Sequence, residues 1–443
     1  MNSNPIRNFP DDLNTVTRRS VLKGLFGGAA AGAILPYLSC AKQDIPKTTY
    51  KDFQKQAEQL GNEMGDDRFW EAVKQQFPVR DGLIMLNAAN LCPAPIMIQE
   101  RLFELTRDID ADPSFNNRGK FNSMREDART ALAEMIGADA DEIALVRNTS
   151  EGNNAVINGV TLGPGDEVVI WDQNHPTANV AWDVRAERYG YKVIKVKTPE
   201  NPEGPADLIK PFTDVMTSRT KVLAFSHVSN VSGVRMDAKA LCAEARHRNI
   251  LTLVDGAQTF GTYLLDLHDM GCDFFTGSSH KWFCGPKEVG ILYVRKDQIE
   301  NLHPSMVGVG WESAVKNGAR KFETLGQRDD ARIAVMKEAA GFHQTLGLLR
   351  ISSQARRLAD VVKDGLIRRV PNVRIVTPIE HQMSWGVVIF NVPGMNLNGA
   401  MDTLYEQYNV GCAVMGSNIR YSPHFYNTFE DIEKAVDAVA KLV

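Results

Sequence analysis

Residues 251–285 read LTLVDGAQTFGTYLLDLHDMGCDFFTGSSHKWFCG. Two short apolar runs stand out, Leu251-Thr252-Leu253-Val254 and Phe274-Phe275-Thr276, and each ends in polar residues at a turn. Apolar runs of this length, bounded this way, predict buried strands of a parallel sheet. The residues after them are Asp255-Gly256-Ala257-Gln258 and Ser278-Ser279-His280-Lys281-Trp282. They fall at strand C-termini, where open α/β sheets bind their ligands.

Outward from this stretch the pattern repeats. Short strands are predicted over 142–146, 167–171, 192–196, 221–225 and 290–294. Helical periodicity covers 96–109, 124–136, 179–189, 206–217 and 237–248, and another helix opens at Thr149. The run 83–87 reads as a strand entering a turn, and 115–119 as a polar loop. Alternation of this kind predicts an α/β fold with a mostly parallel sheet wound by right-handed crossovers, 290–294 being its last strand. From 331 onward, amphipathic helices over 331–346 and 349–370 and strand-like pieces at 373–376 and 385–391 predict a small C-terminal α+β domain. The expected division is a leader over 1–41, an N-terminal extension over 42–82 packing on the small domain, a large domain over 83–330 and a small domain over 331–443.

A chain of 443 residues exceeds one ordinary core, so two domains are the default. Its 43% hydrophobic and 23% charged content is that of a soluble globular protein. A formal charge of -4, with no basic tract interleaved with aromatics, argues against nucleic-acid binding. The opening residues differ. Thr17-Arg18-Arg19-Ser20-Val21-Leu22-Lys23 precedes an uncharged stretch, Gly24 to Leu38, rich in Gly and Ala. A basic segment, a short apolar core and small residues near a cut site predict an export signal rather than a spanning helix. The Arg18-Arg19 pair resembles a twin-arginine signal, with Val21 where Phe is usual, and implies the twin-arginine machinery as a partner and a periplasmic location. Tyr37-Leu38-Ser39-Cys40 resembles a lipobox that would anchor the chain at Cys40, and Ser39-Cys40-Ala41 also fits a small-x-small cleavage site. Cys92, Cys242, Cys272, Cys284 and Cys412 show no paired spacing, so no disulfide is required and no metal site is expected.

An acid and a lysine at neighbouring strand ends suit pyridoxal phosphate. Lys281 would hold its aldehyde covalently, and Asp255 would pair with the protonated ring nitrogen. Taken singly, Asp255 serves as well as a helix N-cap, and Lys281 as a solvated loop residue. The pattern as a whole is more specific. Asp255-x-Ala257-Gln258 followed by Ser278-x-His280-Lys281 resembles the class V aminotransferases, a family of fold-type I pyridoxal phosphate enzymes, and in particular their isopenicillin N epimerase-like branch. The resemblance covers most of 83–443 and implies a fold-type I homodimer with its site at the subunit interface.

The same resemblance implies further site residues. A Thr-Ser pair at a helix start is first of all an N-cap, but a helix N-terminus also binds anions. The family binds the cofactor phosphate at this turn, which places Thr149, Ser150 and Glu151 there. His175 falls where the family stacks a His on the ring. Asn230, in Ser226-His227-Val228-Ser229-Asn230, is implied beside the cofactor's phenolic oxygen and the substrate. Gln258, Ser278 and His280 complete the cofactor set, and Asn87 lies in the segment lining the substrate side. Phe322-Glu323-Thr324-Leu325-Gly326-Gln327 resembles the segment that reaches the partner subunit's phosphate site, with Gln327 replacing a Thr. Arg420, followed by Tyr426-Asn427-Thr428, matches the Arg that forks onto the substrate's α-carboxylate, a task suited to a planar bidentate donor.

Lys281, Asp255 and His175 are then the expected catalytic set, with Lys281 moving the α-proton as general base and acid. The expected function is that of an exported enzyme acting on an amino acid or amino-acid-derived peptide, by transamination or epimerisation. The alternatives are a surface-anchored binding protein that keeps the fold without turnover, and a C–S lyase or desulfurase-like activity. Desulfurases of this family carry a nucleophilic Cys on a loop before the carboxylate Arg. Here Gly411-Cys412-Ala413-Val414-Met415-Gly416 runs almost directly to Arg420, with Cys412 expected inside a strand.

Overall fold

The computed structural model describes residues 50–59 and 67–443. The leader, with Arg18, Arg19 and Cys40, lies outside the described residues. A short strand β1 (Ile84–Met85) precedes the main sheet. That sheet is built from β2 (Ile143–Val146), β3 (Glu167–Trp171), β4 (Lys192–Val196), β5 (Thr220–Ser226), β6 (Leu251–Asp255), β7 (Phe274–Ser278) and β8 (Gly290–Val294). Its order is β2-β8-β7-β6-β5-β3-β4, with β6 at the centre. Every residue of β2, β3, β7 and β8 is buried, as a sheet covered on both faces requires, whereas the edge strand β4 is largely open.

All neighbouring strands are parallel except at β8, which runs antiparallel to both β7 and β2. The sequence reading makes 290–294 the last strand of a parallel series; it lies inside the sheet and runs the other way. No helix separates β7 from β8. A parallel return needs a crossover of about a dozen residues or more, usually helical. Residues 279–289 instead fold back through turns, with Cys284 and Glu288 at left-handed φ of 51° and 59°. Lys281 stands on this fold-back. On the neighbouring strand, the chain leaves β6 across the ring of Phe275. A Cβ on Gly256 would lie 1.9 Å from that ring, so only glycine passes there.

The small sheet joins β9 (Arg374–Ile375), β10 (Val388–Asn391), β12 (Ala413–Met415) and β13 (Asn418–Tyr421), all antiparallel, in the order β12-β13-β10-β9. Helices Leu348–Arg369 and Phe429–Ala440 cover it, burying Leu358, Val362, Leu366, Ile432, Val436 and Val439 in one core. Strand β1 pairs in parallel with β11 (Val410–Gly411), and Ile84 and Leu86 join that same core. The partners of this segment therefore lie in the C-terminal part, although it precedes the main sheet in sequence. Cys412 falls between β11 and β12, not within a strand. Helices Tyr50–Gln59 and Asp67–Lys74 bury Phe53, Phe69 and Trp70 in a cluster that also holds Trp282, Phe342 and Phe425.

Two local expectations change. Residues Phe115–Arg118 form a helical turn, because the Ser114 hydroxyl caps it by accepting the Asn117 N–H. The helix expected over 331–346 is split at Val335 into Asp330–Ala334 and Met336–Leu346. No described helix is long and apolar enough to cross a membrane.

Candidate functional site

The C-terminal ends of β2, β3, β5, β6 and β7 open onto a cavity of about 260 Å³. Its lining includes Thr149, Ser150, His175, Asn230, Asp255, Gln258, Ser278, His280 and Lys281. Nine residues expected at one site from scattered motifs are thus brought together. Strand ends place them, since each follows an apolar run that the core holds in register.

Asp255 closes β6 and is 7% exposed. Its Oδ1 accepts the Ala257 N–H at 3.0 Å and its Oδ2 accepts from Asn153 Nδ2 at 2.9 Å. Asn153 in turn accepts from the Thr276 hydroxyl at 2.8 Å. Sequence reasoning missed Asn153 and Thr276. The available signal was a polar side chain on the buried face of helix Thr149–Gly159, beside Val156 and Ile157.

Lys281 is half-buried and its amine has no hydrogen-bond or ion-pair partner among the described residues. Burial lowers its pKa; the nearby Asp255 charge works against that shift and Arg420 adds to it. His175, half-buried, is lowered by burial first and by the Lys281 charge second. Its Nδ1 accepts the Thr177 N–H at 3.3 Å, so it also caps helix Pro176–Tyr189. His280 is pushed down to about 4, by burial and then by Lys281 and Lys287.

At the phosphate end, helix Thr149–Gly159 is capped by Asn148, whose side chain accepts the Glu151 N–H at 3.0 Å. The Thr-Ser pair therefore occupies the first turn and not the cap itself. Ser278 Oγ accepts the Thr149 N–H and meets its hydroxyl, both at 2.8 Å. Ser150 is exposed into the cavity. Glu151 is not in the lining. Its carboxylate pairs with Arg147 at 3.0 Å and accepts the Arg147 N–H, facing a neighbouring groove. Gln327 also stands outside the cavity within this single chain, bonded to Arg118 and to the Arg328 carbonyl. Gln258 lines the cavity, but its amide bridges the Ala89 carbonyl at 3.1 Å and Trp282 Nε1 at 2.7 Å.

Arg420, in β13, is 5% exposed and lies behind Asn230. It donates to the Asn87 side chain at 3.0 Å and to the Asn230 carbonyl at 3.4 Å, while its Nε has no partner. Burial pushes it down to about 10, still charged at neutral pH. Among the described residues no carboxylate pairs with it. Cys412 is half-buried, points its Sγ at Met401 Sδ 3.6 Å away, and is pushed up to about 12 by burial. Away from the cavity, Asp139, Glu142 and His268 bring ligand atoms within 4.8 Å of one another, but Glu142 already accepts the Asp139 and Lys296 N–H groups and meets His268.

These residues fit pyridoxal phosphate. A half-buried, unpartnered lysine and a buried aspartate line one cavity with a helix N-terminus that carries two hydroxyls. The model of the aminotransferase class-V family matches residues 108–435. The chain is 29% identical over 391 residues to isopenicillin N epimerase from Streptomyces clavuligerus, covering 84% of this chain and 98% of that one. To the enzyme of the same description from Amycolatopsis lactamdurans it is 30% identical over 393 residues, again covering 84% and 98%. A solved structure of C-DES with glycine covalently linked to its PLP cofactor superposes with a TM-score of 0.75 at 21% identity, over 83% of this chain and 98% of that chain.

Proposed function

The chain belongs to the class V aminotransferase family of pyridoxal phosphate enzymes, and from that premise we propose an exported enzyme acting at the α-carbon of an amino acid or amino-acid-derived peptide. The reaction is transamination or epimerisation. Bound pyridoxal phosphate supplies an aldehyde for the substrate amine and a sink for charge at the α-carbon. Lys281 holds the cofactor and moves the α-proton; its burial-lowered pKa suits a base. Asp255 would pair with the ring nitrogen, His175 would stack on the ring, and Thr149 and Ser150 would hold the phosphate. Asn87 and Asn230 flank Arg420, which takes the substrate carboxylate.

The observation that carries the substrate class is Arg420: a buried guanidinium with an unpartnered Nε, beside the cavity of Lys281. Such a fork is suited to a carboxylate. A desulfurase reading is disfavoured by Cys412, which is held against Met401 and kept protonated by burial. The experiment offers purified, cofactor-loaded protein a panel of amino acids and short peptides while following keto-acid formation and α-deuterium exchange together. Exchange without keto acid indicates epimerisation, and stoichiometric keto acid indicates transamination. Neither signal with any α-amino carboxylate sinks the proposal.

We further propose export by the twin-arginine route to the periplasm, with Cys40 as the lipidation site. Support comes from Arg18-Arg19 and the uncharged stretch after them. Replacing both arginines with lysine is expected to leave folded protein in the cytoplasm, and continued export without the twin-arginine translocase contradicts it. We read 83–330 and 331–443 as the large and small domains. A homodimer is supported by the groove beside Arg147, where exposed Met306 and half-buried Leu325 adjoin Gln327.

A further inference from the structure

Helix Thr149–Gly159 also reaches Asp255, through Asn153 one turn beyond its start. Asn153 is 3% exposed, and its carboxamide has two partners. Nδ2 donates to Asp255 Oδ2 at 2.9 Å, and Oδ1 accepts from Thr276 Oγ1 at 2.8 Å. The acceptor-only carboxylate takes the donor end of the amide, and the Thr276 hydroxyl donates to the acceptor end and holds the amide plane in place. Gly152 permits the approach, since a Cβ there would lie 2.8 Å from Thr276 Cγ2. The remaining carboxylate oxygen takes the Ala257 N–H at 3.0 Å. The two donors come from different elements, one from the helix and one from the turn after β6.

We propose that Asn153, oriented by Thr276, is a positioning residue for Asp255: it fixes the plane of the carboxylate toward the cofactor's ring nitrogen, and so sets both retention of pyridoxal phosphate and protonation of that ring. The inference rests on Asp255 facing the ring nitrogen. Asn153 is not among the residues lining the cavity, so it acts through Asp255. If it were only packing, an apolar residue of equal size would serve, as Val156 and Ile157 do on the same buried face. A buried amide whose two ends are each satisfied by a specific partner fits a directional task better than a filling one.

The test removes the cofactor from the protein, adds pyridoxal phosphate back, and measures its dissociation constant and the pH midpoint of its visible absorbance band. Asn153→Leu keeps the volume and removes both bonds. Thr276→Val keeps Asn153 and frees its amide. Asn153→Leu is expected to weaken binding about tenfold or more, the size of losing a hydrogen bond to a charged group, and to move the midpoint. Thr276→Val is expected to move both readouts in the same direction by a smaller factor. If Asn153→Leu does not fold, Thr276→Val decides alone. Folded variants with the parental dissociation constant and midpoint, or a Thr276→Val change confined to the melting temperature, overturn the inference. A parent protein that binds no pyridoxal phosphate overturns the functional reading along with it.

Discussion

The floor of the cavity and its substrate-side wall are finished differently. At the floor, each oxygen of Asp255 holds a donor, Asn153 is held by Thr276, and Thr149 meets Ser278 through two contacts. Behind the wall at Asn230, outside the cavity lining, Arg420 is as buried as Asp255, yet its Nε is unpartnered and its contact to the Asn230 carbonyl is long, at 3.4 Å. Burying a guanidinium without a counter-charge costs free energy, visible in its pKa being pushed down to about 10. These floor contacts close within the chain, so they can be rigid before any substrate arrives. The wall carries an uncompensated charge, which a carboxylate ligand would offset. In the proposed reading, one half of the site serves a resident cofactor and the other a visitor.

The sharpest way to break this contrast is at the lysine between the two halves. Lys281→Ala is expected to abolish the covalent link to the cofactor while leaving the floor contacts of Asp255 intact. Loss of proton transfer alone should lower turnover by about 10²- to 10⁴-fold. Borohydride reduction followed by peptide mapping checks it: the tag should sit on Lys281 in the parent and nowhere in the variant. A tag on another lysine would mean that the strand-end placement has the wrong residue.

Acid pH should destabilise the fold as a whole while leaving Arg420 charged. His227 and His424 are held down to about 3 and His343 to about 4, each by burial first, and all three are fully buried. His227 is bonded to Thr259, His424 to the Trp282 carbonyl, and His343 stacks on Phe283. These folded-state values lie below the ordinary His value. The unfolded chain therefore takes up protons first as pH falls below about 6.5, and stability is lost from there down through the folded values. With three such groups the slope should approach roughly 4 kcal/mol per pH unit. Arg420 stays charged across this whole window. Denaturant unfolding between pH 7 and 4 should show the steep fall, and a flat profile would mean that these histidines have other partners.

At the wall, Arg420→Lys should leave the cofactor spectrum unchanged and lower kcat/KM for α-carboxylate substrates by about one to two powers of ten, since a point charge cannot reproduce the planar fork. Amines lacking the carboxylate should be affected little. Loss of cofactor in this variant would erase the distinction between floor and wall.

How much of this was legible in sequence follows the same division. Asp255, Lys281, Thr149 and Asn230 could be placed because each follows a short apolar run, and a buried strand fixes where its C-terminal end points. The direction of β8 was not legible: Gly290–Val294 reads alike in either sense, and only the missing crossover helix after Lys281 hinted at the reversal. Strand β1 could not be assigned its partner, because pairing of Ile84 with Val410 depends on contacts hundreds of residues apart. Asn153 escaped for a related reason. Its role depends on Asp255 and Thr276 converging from two other elements, and helical periodicity records only that it is buried. Glu151 went the other way: its motif position falls on the first turn of the helix, but its side chain turns to Arg147, four residues earlier.

Glu151 gives the smallest and most discriminating of these effects. Its motif places it with the phosphate residues, whereas its carboxylate spans the Arg147 guanidinium and the Arg147 N–H, outside the cavity lining. Arg147 is largely exposed, so the pair is an exposed i,i+4 contact on the first turn of a helix, worth about 0.3 to 0.5 kcal/mol. A negative charge there also lies near the positive end of the helix, a contribution of similar size. Glu151→Gln retains an acceptor for the Arg147 N–H and removes only the charge. It should therefore lower the melting temperature by a degree or two at most and change the pyridoxal phosphate dissociation constant by less than about twofold. The hydroxyl pair offers the matched comparison, because Thr149→Val removes a group that does line the cavity and should weaken cofactor binding several-fold more. If Glu151→Gln releases the cofactor as readily as Thr149→Val does, the carboxylate acts on the phosphate after all, and the floor extends one residue further along the helix than its hydrogen bonds indicate.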